Sequence, residues 1–171
     1  MIAGALVTLR ARAPGDVEHA RRWYADPGTT RWLLMPYPFG PESFEVPGEP
    51  MSFADARFTV VDTATGTPVG TAGLVEASPE RRLATAFLVI GDAAYRGRGY
   101  GTDTMRTLCR FGFEQMNLDR VELEVVAGNA RAVALYERLG FVREVHRRRA
   151  LWIDGAWHDE YLMGLLRGEL R

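Results

Sequence analysis

A short glycine-rich loop constrains this chain more than any other feature, because it joins two segments of opposite kinds. The loop is Y-R-G-R-G-Y-G-T at residues 95–102. The apolar run L-A-T-A-F-L-V-I at residues 83–90 precedes it and predicts a buried strand. From Tyr100 to about Met116 the apolar residues recur at helical spacing, which predicts an amphipathic helix. A strand, a glycine turn and a helix in succession indicate α/β structure at the centre of the chain.

A loop of this kind can bind an anion. Backbone N–H groups at a helix N-terminus lack partners within the helix, and phosphates bind there. Glycine permits positive φ and close approach of a ligand, while Arg96, Arg98 and Thr102 add charge and a hydroxyl. Two common nucleotide motifs do not fit: the chain has no lysine for a P-loop, and the glycine spacing is not that of a dinucleotide fingerprint.

The remaining segments predict a mixed α/β sheet, and no linker divides them, so we expect one domain over residues 1–171. The predicted order is strand, helix, three strands, helix, strand, helix and two strands. Apolar periodicity and a cap at Asn129 place the helices, and the turn Asp154-Gly155 places the final hairpin. Residues 25–50 contain six prolines and predict a loop with room for a helical turn.

The composition excludes several classes of function. All 21 basic residues are arginine, so no lysine can act as a Schiff base or general base. The formal charge of −1 gives no basis for a nucleic-acid partner. No apolar run approaches the ~18 residues that span a bilayer, so we expect a cytoplasmic protein without a membrane partner. The single cysteine, Cys109, cannot form an internal disulfide or build a cysteine-based metal site, and we expect no metal.

Two motifs in the expected order carry a family resemblance. The string R-G-R-G-Y-G at residues 96–101 matches the R/Q-x-x-G-x-G/A motif of the GNAT superfamily of acyl-CoA-dependent N-acetyltransferases. Residues 123–141, which include L-Y-E-R-L-G-F, resemble the next motif of that superfamily. The closing hairpin is similar to the branch that includes ribosomal-protein N-terminal acetyltransferases and spermidine acetyltransferases. The resemblance implies a single-domain α/β (α+β) fold with a mixed, mostly antiparallel sheet of six to seven strands flanked by helices, and a V-shaped cleft between two central parallel strands.

The resemblance also implies where coenzyme A lies. The strand before the loop would carry a bulge and pair with the pantetheine arm, and the pyrophosphate would lie over the amides of residues 98–102. Asn129 matches a position that contacts the cofactor, and it can cap its helix at the same time. The implied cofactor-binding residues are Val89, Ile90, Gly91, Arg96, Gly97, Arg98, Gly99, Tyr100, Gly101, Thr102 and Asn129.

For the reaction, the resemblance implies direct transfer from acetyl-CoA to a primary amine in a ternary complex. Tyr136 matches the family's general acid, which protonates the departing sulfur; the alternative is an aromatic side chain packed under its helix. Glu124 matches the base of the N-terminal alanine acetyltransferases. The alternation V-E-L-E-V at residues 121–125 puts Glu122 on the same face, so Glu124, Glu122 and a water chain remain open as the base. Both glutamates can equally be solvated residues of an exposed strand face.

The acceptor, a small amine or a protein N-terminus, is expected to enter opposite the cofactor. The resemblance places residues 32–44 and the final hairpin there, with Trp152, Trp157 and His158. Carboxylates in or next to these segments would suit a cationic amine, and they are Glu42, Glu45, Glu49, Asp159 and Glu160.

Other expectations concern the surface and the alternatives. The three arginines at residues 147–149 are expected on a solvated strand edge rather than at the phosphates. Ala132 stands where many relatives of this branch have serine, so a hydroxyl contact to the cofactor is expected to be missing. The alternative functions are a non-catalytic acyl-CoA sensor or interaction module on the same fold and, more remotely, a nucleotide-binding oxidoreductase. The expected quaternary state is a monomer or a homodimer.

Overall fold

One mixed sheet of eight strands runs through the computed structural model, which describes residues 1–33 and 51–171. In chain order the strands are β1 Ile2–Ala3, β2 Val7–Ala11, β3 Asp55–Asp62, β4 Pro68–Ser78, β5 Leu83–Ile90, β6 Arg120–Val126, β7 Val142–Ile153 and β8 Ala156–Leu166. The helices are α1 Asp16–Ala25, α2 Pro27–Thr30, α3 Tyr100–Glu114 and α4 Ala130–Leu139, with a 3-10 turn at Ala93–Tyr95. Neighbouring strands follow the order β1-β2-β3-β4-β5-β6-β8-β7.

This architecture confirms the predicted mixed, mostly antiparallel fold, but the described sheet has one strand more than the upper end of the predicted six to seven. The additional strand is β1, whose two residues pair with Leu9 and Thr8 of β2. Two residues are too few to leave a period-two pattern, so the sequence could not predict them. Helix α2 falls where the sequence left room for a helical turn, and Pro27 occupies its first position, where a proline is tolerated.

The central cleft arises where β5 and β6, the only parallel pair in the described sheet, separate. Their pairing covers three residues of each strand, Leu83 to Thr85 against Arg120 to Glu122. Beyond these pairs β5 continues for five residues and β6 for four, each still paired with its outer neighbour, β4 or β8. The inner edges of the two strands are therefore unpaired with each other, and they form the predicted V-shaped opening.

The bulge expected on the strand before the glycine loop lies on a neighbouring strand instead. Strand β5 pairs in regular register with β4 from Thr85 to Ile90. The register shifts between Val75 and Ser78 of β4, where Glu76 has a φ of +53°. The expectation for β5 is therefore wrong. The cleft opens because parallel pairing ends, not because β5 bulges.

Helix α3 covers one face of the sheet with the apolar stripe that the sequence predicts. Met105, Leu108 and Cys109 are fully buried in the core. Gly112 approaches β4 so closely that a Cβ there would lie 2.8 Å from Leu74 Cδ1. Burial raises the pKa of the Cys109 thiol, which therefore behaves as a small apolar side chain. This packing fixes the helix N-terminus, and with it the glycine loop, at the end of β5.

Candidate active site

A cleft of about 1100 Å³ lies where β5 and β6 separate. We call its two sides the loop side and the α1 side. The loop side is lined by the glycine loop and the first turns of α3 and α4, and includes Gly97, Gly99, Gly101, Thr102, Asn129, Ala130 and Arg131. The α1 side is lined by Arg12, Ala20, Tyr24, Arg57, Thr71 and Phe87, with Trp32 and Leu33 nearby in the chain after α2.

The glycine loop turns through two residues with positive φ, +77° at Gly97 and +90° at Gly99. Gly99 immediately precedes α3, and a residue with a Cβ would adopt this angle only with strain. The amides in the first turn of α3 have no acceptor within the helix, so an anion can accept from them. Gly101 and Thr102 of that turn line the cleft. The structure thus brings a backbone anion site to the loop side.

Arg131 lies over this anion site, although the sequence analysis did not single it out. Its Nη2 atom is 3.1 Å from the position that a Cβ on Gly97 would occupy. Arg131 lines the cleft, and it has no hydrogen bond or ion pair with any residue in the ranges 1–33 and 51–171. A guanidinium in this position adds positive charge and several donors to the loop. The available signal was its place two residues after Asn129, at the start of a helix that faces the loop.

Arg96 has its donors turned inward. The guanidinium donates to the carbonyl oxygens of Ile90 at 3.0 Å and Gly91 at 2.7 Å. It also donates to the Thr29 hydroxyl and forms an ion pair with Asp26 at 3.4 Å. Arg96 borders the cleft, but these bonds fasten the end of β5 to α2. The guanidinium of Arg96 therefore stabilises the conformation of the loop, and its donors are not available to a phosphate.

Three residues of the predicted cofactor set, Gly91, Arg98 and Tyr100, are not part of the cleft wall. The Gly91 amide donates to a carbonyl of β4 at 3.0 Å, and a Cβ there would lie 2.1 Å from Cγ of Trp23. Tyr100 is buried and its hydroxyl donates to Asp62 Oδ2 at 3.2 Å. Arg98 lies against the rings beside it and donates to a loop carbonyl at 3.3 Å. The other members line the cleft, and they are Val89, Ile90, Arg96, Gly97, Gly99, Gly101, Thr102 and Asn129.

Asn129 caps α4 and lines the cleft, so the two roles predicted for it are compatible. Its Oδ1 accepts from the amide of Ala132 at 3.2 Å, which satisfies one of the first amides of the helix. The cap fixes the start of α4 beside the glycine loop. Its contact with the cofactor stays a prediction.

Tyr136 enters the cleft from α4. It is 9% exposed, and burial, with a smaller contribution from nearby Cys109, raises the pKa of its phenol to about 12. The phenol is therefore protonated at neutral pH, as a general acid must be. Its ring also packs against Phe141, with ring centroids 5.8 Å apart. The Tyr136 ring is thus packed under α4, and the same side chain also lines the cleft.

The structure separates the two glutamates that the sequence left open as the base. Glu122 lies in the paired part of β6, opposite Thr85, and forms an ion pair with Arg120 at 3.3 Å. Glu124 lies two residues further along, beyond the last pair with β5, and it lines the cleft. Of the two, only Glu124 is placed to meet a substrate.

Arg147 connects Glu124 to a buried carboxylate. Its Nη1 donates to Glu124 Oε1 and to Glu160 Oε2, the latter at 2.8 Å. Glu160 is only 4% exposed, so its charge needs this cationic partner. Arg147 lies on the edge strand β7, as expected, and is half-exposed, but its guanidinium is engaged rather than simply solvated.

The hairpin residues expected at the entrance for the acceptor lie away from the cleft wall. Asp159 instead accepts from His146 at 2.7 Å and from the Arg149 amide at 2.9 Å. Trp152 and Trp157 pack edge to face at the hairpin, with ring centroids 5.3 Å apart. Five hairpin residues of the prediction are absent from the wall, namely Trp152, Trp157, His158, Asp159 and Glu160.

The loop segment predicted for the acceptor is described only at its start. Trp32 and Leu33 line the cleft. The predicted carboxylates Glu42, Glu45 and Glu49 lie outside the described residues.

Two features are absent from residues 1–33 and 51–171. That part of the chain contains no group of three or more His, Cys, Asp or Glu side chains that could hold a metal ion. It also contains no helix that is both long and apolar enough to cross a bilayer.

Comparison with known proteins identifies the family. The family described as Acetyltransferase (GNAT) domain matches residues 7–142, which is most of the chain. The chain belongs to the GNAT acetyltransferases. It is an acetyl-CoA-dependent N-acetyltransferase, and its acceptor is an amine.

Several relatives are similar along different shares of this GNAT chain. The spermidine N(1)-acetyltransferase of Vibrio cholerae is 27% identical over 95% of this chain and 94% of its own length. The putative ribosomal N-acetyltransferase YdaF of Bacillus subtilis is 35% identical over 44% of this chain and 41% of its own. The L-amino acid N-acetyltransferase AaaT of Escherichia coli is 27% identical over 54% and 57%.

Solved structures show the same fold. The crystal structure of spermidine N-acetyltransferase from Vibrio cholerae in complex with CoA and spermine superimposes with a TM-score of 0.85 at 24% identity, covering 96% of this chain and 98% of that one. A mutant form of the Vibrio cholerae enzyme superimposes with a TM-score of 0.79 at 27% identity, covering 95% of each chain.

Proposed function

We propose that the chain transfers the acetyl group of acetyl-CoA directly to a primary amine held in the same cleft, with Tyr136 as the general acid and Glu124 on the amine side. The observation that carries this proposal is that both residues line the cleft that contains the glycine loop. Acetyl-CoA supplies a thioester, whose carbonyl carbon accepts the amine nitrogen while the carbon–sulfur bond breaks. Holding both reactants in one cleft supplies much of the rate.

The loop side suits the phosphates of coenzyme A. Backbone amides in the first turn of α3 and the guanidinium of Arg131 would hold the pyrophosphate. Along β5, Val89 and Ile90 lie on an edge that has no strand partner beyond Thr85. Their backbone groups would pair with the pantetheine amides as a neighbouring strand would.

Tyr136 would deliver the proton that the departing sulfur takes. Its phenol, with a pKa raised to about 12, is protonated throughout the physiological range. Transfer of that proton as the carbon–sulfur bond breaks avoids release of a free thiolate. The phenolate that remains regains its proton from solvent before the next turnover, because it is a much stronger base than water.

Glu124 would act on the acceptor. A simple amine has a pKa near ~10 and arrives mostly protonated at neutral pH. Arg147 binds Oε1 of Glu124, while Oε2 has no hydrogen bond to any residue of the described ranges. The open oxygen would attract the ammonium group and accept the proton that it loses before attack, directly or through a water molecule. The second proton, which the nitrogen loses as the amide forms, would pass to solvent by the same route. Arg147 fixes the carboxylate in this orientation.

The test is release of free thiol from acetyl-CoA with a panel of amines that includes peptides, amino acids and polyamines. We expect thiol release that depends on the amine, with the acetyl group recovered on it, and a rise in Tm with coenzyme A concentration. Binding of coenzyme A without thiol release for any amine would instead favour a non-catalytic sensor. No binding at all would refute the assignment of the loop.

A further inference from the structure

The charges that line the α1 side of the cleft point to the chemistry of the acceptor. Among the described residues that line the cleft, Glu124 is the only one with a carboxylate side chain. One of its two carboxylate oxygens is already bonded to Arg147. The cleft is also lined by five arginines, namely Arg12, Arg57, Arg96, Arg131 and Arg138. Arg131 covers the glycine loop, Arg96 is bonded inward, and Arg138 belongs to α4. Arg12 and Arg57 remain on the α1 side.

The strand register puts Arg57 on the same face as Glu124. Arg57 pairs with Gly73 and Gly73 with Phe87, so these three residues form one row across β3, β4 and β5. Phe87 lies two residues beyond Thr85, and Glu124 lies two residues beyond Glu122, the partner of Thr85. Side chains two residues apart on a strand share a face, so Phe87 and Glu124 flank the opening on one face.

Arg57 is held against this opening with its outer nitrogens available. Its guanidinium carbon lies 5.5 Å from the centroid of the Phe87 ring, a cation–π contact that directs it toward the cleft. Its Nε donates to Asp55 at 2.7 Å. Neither Nη atom has a hydrogen bond to a residue in the ranges 1–33 and 51–171. The two-pronged edge of the guanidinium is therefore open to a planar anion.

Arg12 doubles this charge. It follows Ala11, which pairs with Phe58, so the continued register sets Arg12 opposite Arg57 on the same face. Arg12 lines the cleft and has no hydrogen bond or ion pair within the described chain. Asp55 offsets the charge of Arg57, and Arg12 has no carboxylate partner among residues 1–33 and 51–171. A second ammonium group of a polyamine would meet repulsion here, whereas a carboxylate would form charge-assisted hydrogen bonds.

We infer that the acceptor is a primary amine that carries a carboxylate, which Arg12 and Arg57 bind while Glu124 receives the amine. This inference rests on the proposed function and names the substrate class of the same site. Strands lie about 4.8 Å apart, so β3 is about 10 Å from β5, and the Arg57 side chain spans part of that distance to reach Phe87 at the β5 edge of the cleft. This placement fits a carboxylate several bonds from the amine, as in a peptide with an acidic residue after its N-terminus or in an amino acid with an extended side chain.

The experiment compares amines that differ only in the acid. One pair is Ala-Glu-Ala amide and Ala-Gln-Ala amide, and a second is the free amino acid 4-aminobutyrate and its neutral analogue 4-aminobutanamide; spermidine represents the polyamines. We expect kcat/KM for the acidic member of at least one pair to exceed that of its neutral partner by about 10- to 100-fold, the range of a hydrogen-bonded charge pair. The pair that shows this preference distinguishes a peptide acceptor from a free amino acid.

Variants then assign the preference to the two arginines. Arg57→Gln and Arg12→Gln should each remove most of the advantage of the acidic member and leave the neutral member within about twofold. Arg21→Gln, on the exposed face of α1, is the matched control and should keep the preference. A rise in Tm with coenzyme A in every variant shows that the fold and the loop side are intact.

The outcomes separate this inference from the proposed function. Acetylation of spermidine or the neutral amines as fast as the acidic ones overturns the acceptor class and leaves the acetyltransferase reaction standing. A preference for the acid that survives both substitutions also overturns it. Absence of thiol release with every amine refutes the proposed function and this inference together.

Discussion

At the scale of single residues, the site is defined by which polar side chains are already bonded within the fold. Arg96 donates to the end of β5 and to α2, whereas Arg131 stands open over the glycine loop. Glu122 is bonded to Arg120, whereas Glu124 has one oxygen directed to Arg147 and the other available. Residues of one type thus have opposite uses because their neighbours in space differ.

The pair of glutamates gives a prediction with an internal control. Glu124→Gln should lower kcat/KM for the acceptor by about 100-fold or more, since it removes the group that receives the amine proton. Glu122→Gln should leave turnover within about twofold, because Glu122 lies outside the cleft wall. Steady-state thiol release measures both. Equal effects of the two substitutions would contradict the assignment of Glu124.

Arg131 gives a prediction about the cofactor alone. Arg131→Gln should weaken coenzyme A binding by about 10-fold, the value of a charge-assisted contact to phosphate. The substitution should leave the affinity for pantetheine unchanged, because pantetheine is the part of coenzyme A without phosphates. Isothermal titration calorimetry with both ligands measures the difference. A parallel loss of affinity for pantetheine would show that Arg131 supports the fold of α4 instead.

Residue positions could be predicted where a motif fixes both the residue and its neighbours. The positions of Asn129, Tyr136 and Glu124 around one cleft follow from two motifs and the spacing between them, and the structure brings them together. The inward bonds of Arg96 could not be predicted, because its partners Asp26 and Thr29 lie 70 and 67 residues away. No local sequence pattern predicts a contact between residues so far apart in the chain.

At the scale of elements, α1 is the part that completes the far wall of the cleft. Its Asp16 accepts from Arg10, from the Thr59 hydroxyl at 2.7 Å and from the Ala13 amide at 2.8 Å, which ties the start of the helix to the sheet. Its other end packs Trp23 over Gly91 at the close of β5. The helix thus links the α1 side to the strand that leads into the glycine loop.

The contact between Trp23 and Gly91 can be tested by adding one methyl group. Gly91→Ala places a Cβ about 2.1 Å from the Trp23 ring, so α1 or β5 must shift. We expect the free energy of unfolding to fall by about 1–3 kcal/mol, as for overpacking elsewhere. Gly15→Ala is the control, since nothing lies within 4 Å of its Cβ position and its φ is −65°. Urea denaturation of both variants measures the difference, and equal stabilities would contradict this packing.

Asp16 makes the stability depend on acid. Its burial by itself raises the pKa of the carboxyl, but hydrogen bonds from Arg10, Thr59 and Ala13 outweigh this and lower the pKa to about 2. Because the pKa in the unfolded chain is higher, this stabilisation is complete above about pH 4 and is lost as the pH falls from about 4 to 2. Asp16→Asn should remove that part of the pH dependence of unfolding. An unchanged profile between pH 2 and 5 would show that Asp16 does not anchor α1.

Elements were predictable where their periodicity extends over several residues. The run at Leu83–Ile90 and the alternation in Arg120–Val126 gave strands because burial on one or both faces leaves a pattern. Strand β1 is too short to leave one, and the bulge lies on β4 because backbone register depends on the partner strand. The cleft begins where the parallel pairing of β5 and β6 ends. That point depends on how the two strands diverge, so the sequence of either strand alone does not predict it.

At the scale of the whole molecule, the sheet places two reactants on opposite sides of one opening. Membership of the GNAT family identifies acetyl-CoA as the acetyl donor, and the anion site on the loop side suits its phosphates. The acceptor side was the least predictable part, because the hairpin carboxylates are bonded to His146, Arg147 and Arg149 instead of lining the cleft. Ion pairs across strands β6, β8 and β7 depend on register, which charge patterns in one strand do not reveal.

Tyr136 lies between the two sides, and its substitution is the sharpest test of the proposed acetyl transfer. The measurement is the single-turnover rate of acetyl transfer by Tyr136→Phe at saturating acetyl-CoA and amine, beside the Kd for coenzyme A. We predict a rate lower by about 100-fold or more with Kd within about twofold, because the ring still fills its place under α4 while the proton for sulfur is gone. Transfer at the rate of the parent enzyme would contradict the assignment of Tyr136 as the general acid.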